Sequence, residues 1–346
     1  MKLKSCLPLA IACITLPLGA ANHKTRQNRP IQLGTSGGSV TDIVGNGCCS
    51  GTLGSLVQDA DGTLYILSNT HVFAGDTNPG GNHRVSAPGD PINQPGNIDI
   101  GCKNKSSDYV AHLSRWVAIK ENGTTSVDAA IAKVAKDAVD TTGAILEIGT
   151  ISSTPVDAFV GQKVKKSGRT SGLTRGKITS LNATIQVEYS DECGGSDYLS
   201  TFKNQIIIQP GSFLKGGDSG SLMVEDVATN PRPIGLLFAG SDDVAIANPI
   251  KDVLNALNIT MCGTPSTTAQ TATINLTIAK SVQEAHADTL LAIDGVVGHA
   301  IGLSAQGRPV IHALVTSLKD MDTSTIPKKL GGLPVQIIQI GKLRAF

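Results

Sequence analysis

Aromatic residues and charges are scarce in this chain of 346 residues. Aromatic side chains make up 3% of the sequence and charged ones 16%. The 29 basic and 28 acidic residues nearly cancel, and no run of lysine and arginine interleaved with aromatic residues occurs. A nucleic-acid-binding surface needs such a concentration of positive charge, so nucleic acid is not an expected partner. The length predicts more than one domain.

Long hydrophobic runs are also missing, except near the start of the chain. Two lysines precede a mostly apolar stretch over residues 7–18, and small residues follow at 19–21. This pattern predicts an export signal over residues 1–21, cleaved after residue 20 or 21, and therefore a periplasmic or secreted protein. The stretch is too short to span a bilayer stably. Lipid attachment at Cys13 is a weaker alternative, because residues 9–12 fit the lipidation pattern poorly.

Cysteine and histidine patterns typical of zinc sites are absent, since no Cys-x-x-Cys or His-x-x-x-His pair occurs. We therefore expect no metal site and no cofactor. Export permits disulfides, so the cysteines beyond the signal predict two bridges with one thiol left over. The pairing stays open, although the two adjacent cysteines are expected to bond elsewhere rather than to each other. These cysteines are Cys48, Cys49, Cys102, Cys193 and Cys262.

Glycine is abundant instead, with 38 residues, and it suits short strands joined by tight turns. Two apolar runs at 51–57 and 63–69, joined by a turn that contains Asp61 and Gly62, predict a β-hairpin. Similar short runs continue to residue 239, and apolar residues at helical spacing over 248–257 predict a closing helix. After a polar lead-in at 22–33, the region 34–262 is therefore predicted to be an all-β sandwich or barrel.

The pattern changes after residue 262. Residues 263–273 have the composition of a linker. Over residues 274–346 we predict a strand, a helix at 279–293, two strands, a helix at 320–330 and a final strand. This order is that of a ferredoxin-like arrangement, so a small α+β domain is expected. Its role and any homo-oligomer formation stay open.

Three short motifs carry the residue types of a nucleophilic site. LSNTHVFA contains His71, SVDAAIAKV contains Asp128, and LKGGDSGSL contains Ser219. A serine hydroxyl becomes a good nucleophile when an imidazole removes its proton, and a buried carboxylate fixes the tautomer of that imidazole. Because Asp128 leads into an apolar run, a buried strand would carry its carboxylate away from water. The order His, Asp, Ser is that of chymotrypsin-like double barrels.

Other residues compete for these roles. His83, in a loop rich in glycine and proline, and His112, inside a predicted strand, are alternatives to His71. Asp99 lies in a turn-rich loop and is the rival of Asp128. Residues 34–38 fit the G-x-S-x-G pattern of α/β-hydrolases, but that motif requires a preceding strand and a following helix. We interpret these residues as a flexible loop.

The glycines beside Ser219 predict a loop that binds an anion. Gly216 and Gly217 permit a tight turn in which the amides of Gly217 and Ser219 point at one spot. Two such donors form an oxyanion hole, and each typically lowers the barrier of acyl transfer by about 3 kcal/mol.

Together these motifs closely resemble the trypsin-like, chymotrypsin-fold serine peptidases. A finer resemblance is to the branch found in bacteria and in the plant narrow-leaf proteins. It covers residues 34–262 and is carried by GTLGSLV, YILSNTHV, GDPINQPG, VDAAIA, GRTSGLTRG, NQIII, GDSGSL and GLLFAGS. The resemblance implies a double β-barrel with His71 and Asp128 from the first barrel and Ser219 from the second. It also implies a small α/β domain after the peptidase.

The resemblance further implies how this chain differs from the digestive enzymes of that family. In those enzymes a freshly cut amino terminus pairs with the aspartate before the serine. Residues 43–46 here read Ile-Val-Gly-Asn without a tryptic site before them, so we expect no such activation and another partner for Asp218. By analogy, the specificity pocket is expected around residues 212–215 and at Phe213, Phe238, Ala239, Gly240 and Ser241. Phe213 stands where a carboxylate would select Arg or Lys, so a small or apolar side chain is expected.

The sequence thus predicts an exported serine endopeptidase that hydrolyses protein or peptide substrates through an acyl-enzyme at Ser219. Two alternatives stay open. A latent or non-enzymatic binding scaffold could keep the same barrels, because fold does not guarantee function. An esterase would use the same triad on a different leaving group.

Overall fold

The computed structural model describes residues 21–45, 47–77, 84–190, 193, 196–268, 274–319 and 321–345. The predicted export signal, apart from Ala21, lies outside the described residues, and so do His83 and residues 269–273 of the predicted linker. Strands dominate the described part and fall into two large sheets. No helix in these ranges is long and apolar enough to cross a membrane.

The helices and strands follow one another along the chain as short elements. The strands are β1 (Thr35–Ser39), β2 (Ile43–Val44), β3 (Gly47–Cys48), β4 (Gly51–Leu53), β5 (Ser55–Gln58), β6 (Leu64–Ser68), β7 (Pro91–Asn93), β8 (Tyr109–Trp116), β9 (Thr124–Thr125), β10 (Ala130–Val134), β11 (Lys163–Gly168), β12 (Gly172–Ser190), β13 (Asp197–Gln209), β14 (Leu222–Glu225), β15 (Pro233–Gly240), β16 (Ala245–Pro249), β17 (Thr260–Met261), β18 (Val296–Leu303), β19 (Pro309–Val315), β20 (Lys329–Leu330), β21 (Leu333–Gln339) and β22 (Arg344–Ala345). The α-helices are α1 (Thr70–Phe73), α2 (Ile250–Leu257), α3 (Thr277–Ala285) and α4 (Ala287–Leu291). Single 3₁₀ turns occur at Asn97–Ile100, Ser106–Asp108, Gly211–Phe213 and Thr323–Thr325.

The first large sheet is barrel-like and has the strand order β17-β5-β6-β10-β8-β7-β1-β4. Strands β5 and β6 form the predicted hairpin, with Ser55 opposite Leu67. Gly62 has a φ of +77° in the connecting turn, a conformation that favours glycine. The Asp59 carboxylate closes the turn by accepting the backbone amides of Asp61 and Thr63. The hairpin prediction is therefore confirmed.

Residues 34–38 do not form the flexible loop that we expect from the sequence. They contribute most of β1, which is buried and pairs with β4 and β7. A Cβ atom on Gly37 would collide with the Leu53 side chain and would lie 2.7 Å from the Asn93 carbonyl. Gly37 is therefore required by close strand packing. Gly34, the first glycine of the hydrolase pattern, has a φ of +78°, and a Cβ on it would lie 2.7 Å from the Ile145 side chain.

The second large sheet contains a closed ring of strands. Its order β12-β11-β14-β15-β16-β13 returns to the start because β13 also pairs with β12. Closure of this kind removes free edges from the sheet. Helix α2 follows β16 and buries Ile250, Val253, Leu254 and Leu257 in the core of the first barrel. The closing helix predicted from helical spacing is confirmed.

The C-terminal strands continue the second sheet. Thr184 of β12 lies opposite His299 of β18, and the order continues through β19 and β21 to β20. Two predicted elements of this region differ. Residues 274–276 lie outside any strand, and the second predicted helix is replaced, among the described residues, by the 3₁₀ turn Thr323–Thr325. Threonine and serine are poor helix formers, and Pro327 cannot continue a helix. The ferredoxin-like arrangement therefore stays a prediction.

The two expected disulfides are present, and their pairing is now defined. Cys48 bonds to Cys102, 54 residues away. Cys49 bonds to Cys193, 144 residues away, and so joins the region of the first barrel to the segment that connects β12 and β13. Cys262 is the free thiol, and burial raises its pKa to about 11. Because the thiolate is the reactive form, this cysteine is a weak nucleophile at neutral pH.

Removal of the long-range bridge tests its contribution to stability. The Cys49→Ser/Cys193→Ser variant is expected to lose about 2–5 kcal/mol of unfolding free energy, because the bridge restricts the unfolded chain over a long loop. The measurement is urea unfolding followed by circular dichroism. Cys262→Ser is the matched control, since it removes an unbridged sulfur, and should cost about 1 kcal/mol or less. Equal losses in both variants would contradict the expectation.

Candidate active site

His71 and Asp128 meet because two paired strands end side by side. Ala130 of β10 lies opposite Ser68 of β6, so the residues just outside these strand ends are also neighbours. The Asp128 carboxylate accepts the backbone amide of Thr70 at 2.7 Å. Its other oxygen lies 2.5 Å from His71 Nδ1. The structure thus brings His71 and Asp128 together, and their catalytic roles stay a prediction.

Burial makes this contact suitable for orienting an imidazole. The Asp128 side chain is fully buried, whereas 15% of the His71 side chain is exposed. A carboxylate shielded from water at Nδ1 fixes the ring and stabilises its protonated form. The second ring nitrogen, Nε2, lies on the side of the ring away from Asp128.

Tyr189 of β12 completes the hydrogen bonding of Asp128 from the second barrel, and the sequence patterns gave no sign of it. Its hydroxyl donates to Asp128 Oδ2 at 3.0 Å, and its ring lies edge-on to His71 with 5.8 Å between centroids. Burial raises the pKa of Tyr189 well above its usual value, and the Asp128 charge raises it further. The phenol therefore stays protonated and remains a donor.

Ser219 lies in a tight loop that packs against the first barrel. Gly217 and Gly220 flank it with φ values of +90° and +91°, which favour glycine. The Thr52 amide donates to the Ser219 carbonyl at 2.8 Å. A Cβ on Gly51 would lie 2.5 Å from the Val72 side chain and 2.9 Å from the Ser219 carbonyl. The serine loop is thus next to the helix that carries His71.

Along this loop, backbone amides that donate to a carbonyl alternate with amides that do not. The Ser219 hydroxyl donates to the Phe238 carbonyl at 3.2 Å. The amides of Asp218 and Gly220 donate to carbonyls of Lys215 and Leu237. Within the part of the chain that the structure describes, the intervening amides of Gly217 and Ser219 have no protein acceptor. Two such donors, separated by one residue in a fixed loop, are suited to hold an oxyanion.

Asp218 has a partner inside the fold, as expected from the sequence. Lys166 Nζ lies 2.9 Å from Asp218 Oδ2, and both side chains are completely buried. The carboxylate also accepts the Ser171 hydroxyl and the amides of Thr170, Ser171 and Lys215. Burial raises the pKa of Asp218, but the Lys166 ammonium and these donors outweigh it and lower the pKa overall. The ionised pair holds the loop that carries Ser219.

Of the residues predicted individually for the specificity pocket, all but Ser241 are buried. The side chain of Phe213 is buried in the core of the second barrel. Phe238 is also buried and packs on Phe202 with 4.8 Å between ring centroids. Ala239 and Gly240 follow on β15, and the Ser241 hydroxyl donates to the Ile340 carbonyl at 2.5 Å. Their role as a pocket stays a prediction.

The rival residues have other structural roles. Asp99 forms a two-point ion pair with Arg169 and accepts the Ser36 hydroxyl at 2.5 Å. His112 is exposed on β8. Among the described residues no group of histidine, cysteine and carboxylate side chains could hold a metal ion.

The arrangement of the sheets and of these side chains identifies the fold class of the protein. A mostly β molecule with two barrel-like sheets, a histidine–carboxylate pair from one and a serine loop from the other is of the chymotrypsin-like fold class. Residues 34–248 match the family model described as the Nal1 C-terminal domain, which is more than half of the chain. The chain therefore belongs to that family.

Two individual proteins are similar to part of this chain at low sequence identity. Protein NARROW LEAF 1 of Oryza sativa subsp. japonica is 28% identical over 211 residues, which are 55% of this chain and 34% of that protein. Serine protease 2 of Streptomyces fradiae is 35% identical over 92 residues, 27% of this chain and 38% of that protein. The chain thus spans about a third of the length of these relatives.

Solved structures of serine proteases are also similar. A glutamic-acid-specific serine protease has a TM-score of 0.44 and 18% identity, with 67% of this chain and 100% of that chain covered. Thermobifida fusca Protease A has a TM-score of 0.43 and 17% identity, with 67% and 98% covered.

Breaking the buried pair tests its contribution to the fold. Lys166→Met leaves the Asp218 carboxylate buried without a counter-ion and is expected to cost about 3–5 kcal/mol of unfolding free energy. Lys163→Met, at an exposed position of the same strand, is the matched control. The Lys166→Met/Asp218→Asn variant should recover part of the loss. Additive losses in that thermodynamic cycle, measured by urea unfolding, would refute the coupling.

The Tyr189 hydroxyl can be removed without removing the ring. Tyr189→Phe is expected to lower the unfolding free energy by about 1.5–3 kcal/mol, the usual value of a hydrogen bond to a charged group. Tyr109→Phe is the control, because the Tyr109 hydroxyl bonds to the neutral Asn104 side chain. The control should cost about 1 kcal/mol. A smaller loss at Tyr189 than at Tyr109 in thermal unfolding would contradict this interpretation.

Proposed function

We propose that this chain is an exported serine endopeptidase in which Ser219 is the nucleophile, His71 the general base and Asp128 the orienting carboxylate. One observation carries the proposal. The buried Asp128 carboxylate at 2.5 Å from His71 belongs to the first barrel, and the Ser219 loop of the second barrel packs against the helix that contains His71. Acyl transfer by serine requires an imidazole beside the serine and a carboxylate that orients it, and this placement supports such an arrangement.

The proposed reaction begins with attack of Ser219 Oγ on the carbonyl carbon of a peptide bond. The hydroxyl turns from the Phe238 carbonyl, and its proton passes to Nε2 of His71. The resulting imidazolium is stabilised by Asp128, which stays ionised. As the carbon–nitrogen bond breaks, His71 returns the proton to the leaving amine. Water then hydrolyses the ester on Ser219 by the same proton transfers.

The free amides of Gly217 and Ser219 are the proposed oxyanion hole. They are donors in a loop held by the ion pair between Lys166 and Asp218, so they need no reorganisation when the negative charge develops. Preorganised donors of this kind give each about 3 kcal/mol of barrier lowering. No step of this mechanism uses a metal or a cofactor.

Substrate class and location complete the proposal. The substrates are proteins or peptides, and the absence of a carboxylate at Phe213 argues against selection of Arg or Lys next to the cleaved bond. Two disulfides support export, because such bonds form and persist in oxidising compartments outside the cytosol. The region 34–262 is the proposed peptidase, with residues 274–346 as an extension of its second barrel.

A fluorophosphonate probe tests the nucleophile directly, because it reacts only with an activated serine. We expect one adduct, at Ser219, located by peptide mass. Ser219→Ala should abolish it, and His71→Ala should slow it by about 10³-fold or more, since the base and the nucleophile act as a unit. Ser281→Ala, an exposed position on α3, is the control and should label like the parent. An unlabelled, folded parent protein would overturn the proposal and favour a latent or binding scaffold.

Matched amide and ester substrates with the same acyl group separate the peptidase from the esterase alternative. A peptidase cleaves both, with a modest preference for the more reactive ester. Turnover of the ester alone would assign the triad to an esterase.

A further inference from the structure

The segment at the end of the described chain pairs with β15, the strand whose Phe238 carbonyl accepts the Ser219 hydroxyl. In β22, Arg344 lies opposite Gly240 and Ala345 lies opposite Ala239 in antiparallel register with β15. On its other side, Arg344 lies beside Glu188 of β12 in parallel register. The Glu188 amide donates to the Leu343 carbonyl at 3.1 Å. Residues 343–345 therefore lie between two strands of the second barrel.

The direction of this segment points to the proposed active site. Because the pairing is antiparallel, a chain that passes Gly240 and then Ala239 next reaches Phe238. The Phe238 carbonyl accepts the Ser219 hydroxyl at 3.2 Å, and the Leu237 carbonyl accepts the Gly220 amide at 3.0 Å. An extended peptide laid along β15 in this register thus approaches Ser219. Backbone pairing with an exposed strand edge is a common way to bind extended peptides.

Glu188 gives this edge a chemical preference. Its carboxylate is 13% exposed and forms ion pairs with Lys342 at 2.5 Å and Arg344 at 2.7 Å. Both basic side chains are 60% exposed, and ion pairs with exposed partners are weak and screened by salt. The firmer anchors are the buried Leu343 side chain and the Ile340 carbonyl, which accepts the Ser241 hydroxyl.

We propose that the edge of β15 with Glu188 is a subsite for an extended peptide with a lysine or arginine opposite Glu188, and that residues 343–345 occupy it as an internal competitor. This inference rests on the proposed function, since it names the peptide that the Ser219 site would accept. The basic residue is two positions before the residue that faces Phe238. The preference is therefore separate from the pocket at the cleaved bond. Peptides bind when the internal segment leaves the edge.

Binding is tested in the full chain with Ser219→Ala, so that the result does not depend on catalysis. The probes are fluorescein-labelled Ala-Lys-Ala-Leu amide and its Ala-Glu-Ala-Leu counterpart, followed by fluorescence anisotropy. Lys342→Glu/Leu343→Ala/Arg344→Glu reverses the ion pairs and removes the buried anchor, so it should expel the segment and tighten binding of the lysine peptide about 10-fold or more. Lys319→Glu/Lys328→Glu changes the net charge equally at exposed sites and should leave binding unchanged. Glu188→Gln in the opened variant should remove the preference for lysine over glutamate.

An engineered disulfide that holds residues 343–345 on β15 provides a second, reversible test. Ala239→Cys/Ala345→Cys places two thiols on directly opposed residues, a geometry that permits a cross-strand disulfide. The oxidised variant should lose peptide binding at least 10-fold and regain it under mild reductant, with the parent treated identically. In the Ser219 background, fluorophosphonate labelling is compared between the oxidised, or locked, and reduced forms of this same variant, so that the change at Ala239 is common to both. Labelling should be equal in the two forms, because the small probe does not need the β15 edge.

The outcomes separate the two proposals. Peptide binding that is unchanged in both the opened and the locked variants would overturn the internal competitor, whatever the labelling shows. Equal affinity for the lysine and glutamate peptides would overturn the role of Glu188. Absence of labelling with the expected binding changes would instead overturn the nucleophile and keep the subsite.

Discussion

The buried ion pair between Lys166 and Asp218 is the contact on which the geometry of the serine loop depends. A carboxylate that is completely buried requires a counter-ion and donors, and Asp218 receives both from the β11–β12 region. The flanking residues are thereby fixed, including the two amides without acceptors. Because the cation belongs to a side chain inside the fold, the loop is assembled when the barrel forms and needs no newly cut amino terminus.

Asp128 performs a related function for the junction of the two barrels. Its carboxylate binds His71 and Thr70 of the first barrel and Tyr189 of the second, and its own amide donates to the Asn248 side chain. Several of the few aromatic residues cluster around Asp128, because the Tyr189 ring also contacts the rings of Tyr198 and Phe202. A rigid aromatic group behind the histidine keeps water away from the carboxylate and strengthens its interactions.

The sequence predicted those parts of the site that depend on local chemistry. His71, Asp128 and Ser219 each follow or precede a short apolar run, and glycines mark the loop whose φ values are positive. Lys166 and Tyr189 escaped prediction because each acts over more than fifty residues, through strand pairing that no local pattern encodes. In the C-terminal region the strands β18, β19 and β21 were predicted from apolar runs. The helix expected at 320–330 fails because Pro327 and the preceding threonines disfavour it locally.

The long strand β12 joins the second barrel and the C-terminal strands in one continuous sheet. Its 19 residues pair with β11 and β13 inside the ring and also with β18 and β22 outside it. A strand edge near a nucleophile must be open to substrates, yet an open edge invites pairing with other chains. Covering the edge with a short segment of the same chain, held by exposed ion pairs and one buried leucine, meets both demands. In the proposed role, this cover excludes unselected strands and yields to a peptide that supplies the same backbone pairing and the same positive charge.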